Sequence, residues 1–217
     1  MTKLFWFGAL SALIGGWSAQ AGPITIVSDA GSPGNGQHIL SPVAGETWTQ
    51  TGTYSGVTIQ ASLVGSGDFV NALTGTAYLM SQVGPGTTTA NQLATPFAIS
   101  LASGLTNVTL FTGLTLGPGT YYLLINGGTL PVGWGVTSTP SFTTDAGISG
   151  IAELTLSGGQ AGYAPASSFT TPTSGEQFLF TVTGTPVTGS PTPEPGTSAL
   201  IATGIAALAL IRRKRAA

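Results

Sequence analysis

Between Lys3 and Arg212 the chain contains no lysine and no arginine. Its five basic residues, Lys3, Arg212, Arg213, Lys214 and Arg215, sit at the two ends. The stretch from Gly22 to Thr192 keeps six acids (Asp29, Glu46, Asp68, Asp145, Glu153 and Glu176), a formal charge of −6 where the whole chain shows −2. With the single histidine, His38, neutral, this body can form no side-chain ion pair. Its fold has to rest on apolar burial and hydrogen bonds. It also offers no basic footprint for nucleic acid or anionic lipid. Trypsin finds no cleavage site within it, so a body trimmed at both ends is expected to stay intact in trypsin even after heat unfolding. Internal cleavage products on a gel would contradict that reading.

The absence of cysteine excludes disulfides, thiolate metal sites and cysteine nucleophiles together. A core is still affordable, because chains of about 150 residues bury roughly 70% of their unfolded surface. The local pattern is β throughout. Threonine is abundant, glycine and proline recur as turn signals, and no stretch sustains a helical period. Strands are predicted over 24–27, 47–53, 57–64, 76–82, 97–101, 108–112, 120–125, 132–137, 151–156 and 178–183. In the segment 57–64, Val57, Ile59, Ala61 and Leu63 alternate with Thr58, Gln60, Ser62 and Val64, the mark of a half-buried strand. Near the end, Phe178, Phe180 and Val182 share one phase. Asn126-Gly127-Gly128 reads as a tight hairpin turn, and Gly84-Pro85-Gly86 and Gly117-Pro118-Gly119 as further turns. The glycine-proline turns lack the Lys-Ser/Thr that a phosphate cradle needs. The expected fold class is an all-β antiparallel sandwich, jelly-roll-like.

Candidate chemistry in the body is sparse. His38 would have to serve any nucleophile–base arrangement, and no GxSxG elbow accompanies it. The six acids read as residues near strand ends, with no pair set apart for glycoside hydrolysis. The oxygen- and glycine-rich loop Ser28–Gly36 makes Asp29 a calcium candidate, against an ordinary Asx-turn loop. Trp48 and Trp134, with Tyr54, Tyr78, Tyr121, Tyr122 and Tyr163, could form a sugar-stacking platform or fill the core. Asn107-Val108-Thr109 matches a glycosylation sequon by pattern alone.

The ends are far more specific. Lys3, the apolar run Leu4–Trp17 and the small residues Ala19 and Ala21 make a secretory signal peptide, with cleavage expected before Gly22. Pro186–Pro195 is a Pro/Thr/Ser/Gly stalk. Thr197–Ile211 is an apolar run of about 22 Å as a helix at roughly 1.5 Å per residue. A bilayer core is about 30 Å thick, so this is a marginal membrane anchor. The block Arg212–Arg215 behind it favours the cytoplasmic side, leaving everything before Pro193 outside.

Pro193-Glu194-Pro195, the short apolar helix and the basic end together resemble the PEP-CTERM sorting signal. Gly196 stands where serine is common in that family. The resemblance implies recognition by an exosortase, a membrane cysteine transpeptidase of Gram-negative bacteria, and an association with exopolysaccharide and biofilm. The expected organisation is a signal peptide over 1–21, a β-sandwich over 22–185, a stalk over 186–195 and a transmembrane helix with basic tail over 196–217. The leading functional expectation is a non-enzymatic protein, exported by the Sec machinery, held transiently in the inner membrane and then moved to the cell surface or outside. A carbohydrate- or Ca²⁺-binding module exported by the same route is the alternative.

Overall fold

The computed structural model of the chain describes residues 22–31, 37–39, 43–65, 72–102, 104–127, 131–155 and 177–187. The signal segment (Ala19, Ala21) and the sorting tail (Pro193, Glu194, Pro195 and Arg212, Arg213, Lys214, Arg215) lie outside these residues, as does Tyr163. Among the described residues there is no helix long and apolar enough to cross a membrane.

Those residues form thirteen strands: β1 Ile24–Asp29, β2 Gln37–Ile39, β3 Val43–Gln50, β4 Tyr54–Gly65, β5 Leu73–Met80, β6 Phe97–Leu101, β7 Gly104–Leu116, β8 Gly119–Gly127, β9 Gly133–Thr137, β10 Phe142–Thr144, β11 Ile148–Thr155, β12 Gln177–Phe178 and β13 Phe180–Pro186. They build two antiparallel sheets in a sandwich-like arrangement. The first runs β10-β1-β13-β4-β9-β12, with β7 on the other edge of β4 and β2 on β9. The second runs β11-β3-β8-β5-β6.

The alternation in β4 fixes which face turns inward. Val57, Ile59, Ala61 and Leu63 are fully or almost fully buried, whereas Thr58, Gln60, Ser62 and Val64 are only partly so. Facing them from the second sheet are Trp48, Leu79, Leu123 and Ile125, and both sets join one continuous core. Trp48 crosses the gap between the sheets. Its ring stacks on Tyr121 at 5.5 Å and meets Phe180 at 6.1 Å. Offset aromatic contacts of this kind add about 0.5–1.5 kcal/mol beyond the area they bury.

The threonines find their use on the outer faces. Ser28 pairs with Thr181, Thr58 with Thr112 and Thr49 with Thr120, hydroxyl to hydroxyl across neighbouring strands. Gln60 donates to Thr109 in the same way. In a body without ion pairs these cross-strand contacts, worth roughly 0.2–1 kcal/mol each, supply the lateral polar cohesion of the sheets. One buried amide goes further. Gln50 accepts from the Trp48 indole (3.2 Å) and donates to the carbonyls of Gly52, Leu116 and Gly117. It thereby ties the end of β3 to the turn between β7 and β8.

Two expectations need correction. Asn126-Gly127 is not the apex of a hairpin. Both residues still belong to β8, and the next strand, β9, pairs with β4 in the opposite sheet. The segment is a crossover, which a dipeptide preference for positive φ cannot distinguish from a hairpin. The aromatic platform is also overturned for its tryptophans. Trp48 and Trp134 have no exposed surface, and Tyr54 and Tyr121 are buried, because each sits in the inward phase of its strand. The Gly84-Pro85-Gly86 turn holds as expected: Gly84 and Gly86 take φ of +89° and +85°, and Thr87 closes it on the Gly84 carbonyl.

Candidate functional site

Glu46 and Glu153 are the residues that sequence reasoning missed. Both lie inside strands, directly opposite one another in the β3–β11 ladder, and are 0% and 1% exposed. Glu46 follows the inward phase set by Ala44 and Trp48. Starting the strand at Thr47 hid that phase, although the pattern Ala44, Glu46, Trp48 carried it. The Glu46 Oε1 accepts the Phe178 backbone N–H at 2.8 Å. This bond joins β3 of one sheet to β12 of the other.

The electrostatics of Glu46 follow from that setting. Burial pushes its carboxyl well above the ordinary glutamate range. The Phe178 N–H pulls it part of the way back, while the nearby charges of Glu153 and Asp29 push it up again. No described lysine or arginine is present to compensate. Glu46 is therefore disposed to carry a proton in conditions where a surface glutamate would have lost it. Its Oε2 has no hydrogen-bond partner. A carboxylic acid so enclosed can hold sheets together, but in this arrangement no solvent-borne substrate reaches it.

Asp29, the calcium candidate, is 2% exposed at the end of β1. Its Oδ1 accepts from the Gly31 N–H (3.0 Å) and the Ser141 N–H (2.9 Å). The first contact is an Asx turn, and the second joins the loop to the approach of β10. A Cβ at Gly31 would fall 2.8 Å from Thr137 and from the Thr139 carbonyl, so the loop packs too closely there for any larger residue. Residues 32–36 of the proposed loop lie outside the described chain, and among the described residues no cluster of three or more His, Asp or Glu could hold a metal ion. His38 sits in β2, its backbone paired with Trp134 of β9.

Beside Asp29 the outer face of the first sheet dips into an open groove of about 280 Å³, lined by Gln60, Ser62, Asn107, Leu179 and Thr181. Ser62 donates to the Asn107 side-chain carbonyl within it. Apart from Asp29 the lining carries no charge. Amides and hydroxyls beside small apolar patches suit neutral polyols, through hydrogen bonds to their hydroxyls and contact with their C–H faces. At the far end of the sandwich, Tyr54 donates to Asp145 at 2.7 Å. Burial and that carboxylate push its phenol up to about 12.

Comparison with known proteins locates a family on the tail alone. Residues 191–215 match the family model of the PEP-CTERM protein-sorting motif. That span contains Pro193-Glu194-Pro195 and the basic block Arg212–Arg215. No curated protein and no solved structure matches the chain. Residues 191–215, which carry the end of the proline stalk, the apolar run and the basic end, are thus a PEP-CTERM protein-sorting motif, and that motif marks an exported protein sorted by an exosortase.

Proposed function

We propose that the mature protein is a non-catalytic component of the cell surface or extracellular matrix, in contact with exopolysaccharide. The sorting motif at 191–215 is the observation that carries this reading. The burial of Glu46 and Glu153, the one facing pair of acids in the described strands, supports a structural rather than a hydrolytic role for them. The strand order supports a jelly roll as the finer fold: β1-β13-β4-β7 faces β3-β8-β5-β6, the arrangement of two interleaved Greek keys, with β9 to β12 inserted before the last strand. That fold places polar sheet faces outward without requiring any catalytic machinery.

The test is made on the motif. Replacing Pro193, Glu194 and Pro195 with alanines is expected to trap the protein in the inner membrane, with the apolar run uncut. Release that continues unchanged in these variants, or in cells lacking an exosortase, would leave only an ordinary weak anchor. The uncharged groove at Gln60, Ser62 and Asn107 favours a second reading, a module that binds neutral saccharide. Binding on a glycan array, lost in Gln60→Ala and Asn107→Ala, is the outcome that separates it from a protein merely retained in the matrix. Running the array with and without Ca²⁺ reports on the calcium alternative as well.

A further inference from the structure

We propose that the edge of β7 away from β4, which no described strand occupies, is a pairing surface for a second copy of this chain, which adds its own β7 antiparallel to the first. The inference rests on how the sheet edges differ. A strand edge presents unpaired N–H and C=O groups, and proteins blunt such edges with shortness, lysine, proline, bulges or inward-pointing charges. Here β2, β10 and β12 have only two or three residues, and β6 has five. The eight-residue β11 breaks register against β3 and turns Glu153 into the core. The edges at β2, β10, β12 and β11 thus carry protective devices, and β6, which follows Pro96, is less than half as long as β7.

β7 is the exception. It runs thirteen residues, Gly104–Leu116, without a charge or a proline. One edge is occupied by β4 along its whole length, and among the described residues no strand lies on the other. All three register shifts of the β4–β7 ladder fall between Thr109 and Leu116, where Gly113 also takes a φ of +73°. That half is twisted away from straight pairing. The half from Gly104 to Thr109 pairs with Gly65 to Gln60 without interruption. Six residues is the length of an ordinary strand. Leu105, 51% exposed, is one of the few large apolar side chains left in solvent, and it lies on this segment.

The occupant follows from chemistry. An antiparallel pair of identical strands is self-complementary about a two-fold axis, so each β7 presents what the other lacks. The side chains that would meet are Leu105, Thr106, Asn107, Val108 and Thr109, none of which repels its own copy. The opposing force is the like charge of the two acidic bodies. It is long-ranged and screened within about 8 Å at physiological ionic strength, whereas backbone pairing is not. Association should therefore strengthen as salt is raised, the reverse of an ion-pair interface.

The experiment uses the exported protein. Sedimentation at increasing concentration and salt is expected to show dimer, growing with both. Because the chain has no cysteine, single substitutions to cysteine at 105, 106, 107, 108 and 109 report on the interface by disulfide formation. In an antiparallel pair only the residue at the two-fold axis faces its own copy, so crosslinking is expected at one position among the five and should fall away on either side of it. The double variant Asn107→Lys/Thr109→Lys should weaken the dimer at least about tenfold, some 1.4 kcal/mol. Ser100→Lys, an exposed control on β6, should leave it unchanged. A protein that stays monomeric at every concentration and salt overturns the proposal, and so would a strand of foreign sequence as the true occupant, because the isolated protein would then not self-associate. Equal crosslinking at all five positions and at Ser100→Cys, or a dimer indifferent to the β7 lysines, overturns it too.

Discussion

Replacing Glu46 with glutamine is expected to stabilise the protein at neutral and alkaline pH and to remove most of the pH dependence of its stability there. The sign follows from the direction of the shift. In the unfolded chain Glu46 titrates near the usual value of about 4.3, and in the folded protein burial holds it well above that. The folded state thus keeps a proton that the unfolded state has released. This contribution is fully present below the unfolded value and is lost as pH rises through the folded one. One such proton costs up to about 1.4 kcal/mol per pH unit across that window. No acid of the described body is engaged with a lysine or arginine, so the usual acid-side loss of ion pairs has little to act on. Urea midpoints should therefore fall from mildly acidic to alkaline pH in the natural protein. Glu46→Gln keeps an oxygen to accept the Phe178 N–H and offers Glu153 an uncharged neighbour, so its midpoints should stay nearly level. Glu46→Ala is expected to be less stable than Glu46→Gln at every pH, because it removes the hydrogen bond between the sheets to the Phe178 N–H and leaves a cavity in the core. Parallel pH profiles for the natural protein and Glu46→Gln would refute the account.

The largest loss is expected from Trp134→Ala. Trp134 is fully buried, stacks on Phe178 at 4.5 Å, and donates its indole N–H to the Leu179 carbonyl at 2.9 Å. Leu179 is the residue at which the chain passes from β12, paired with β9, to β13, paired with β4. Its own amide binds the Gly135 carbonyl, and its carbonyl also receives the Ser62 N–H. The tryptophan therefore fixes a junction of three strands. Truncating a buried tryptophan costs about 3–5 kcal/mol, against a total stability of about 5–15. Trp134→Phe retains most of the packing and loses the hydrogen bond, for about 1 kcal/mol from that bond. Thr58→Ala on the outer face should cost less than about 1 kcal/mol. Thermal or urea unfolding of the three variants should rank them in that order. A Trp134→Ala protein as stable as Thr58→Ala would show that the junction is held by something else.

What could be read from the residues depended on whether a signal was local. The phase of Val57 to Leu63 is written in four alternating pairs, and the burial follows it. The same rule applied to Ala44, Glu46 and Trp48 would have placed a glutamate in the core. It was obscured because a charged residue in a strand reads as a boundary. The partner, Glu153, lies more than a hundred residues away, and no local pattern announces which strand lies beside β3. The crossover at Asn126-Gly127 failed for a related reason: a turn preference reports backbone conformation, not which sheet receives the next strand. The tail was legible because its order of proline stalk, apolar run and basic block is linear, and needs no partner to have meaning.

The neighbours of β13 carry a consequence for timing. This last strand lies between β1 and β4, with Ile24 paired to Gly184 and Val182 to Ile59. A chain threaded across a membrane from its beginning delivers β1 and β4 early and must hold them apart until residue 186 emerges. The centre of the first sheet is missing until then, so the sandwich cannot close at any earlier point of transit. The last strand to be made is thus a central one, and a body cut short before residue 180 lacks the strand that joins β1 to β4 and cannot complete its first sheet.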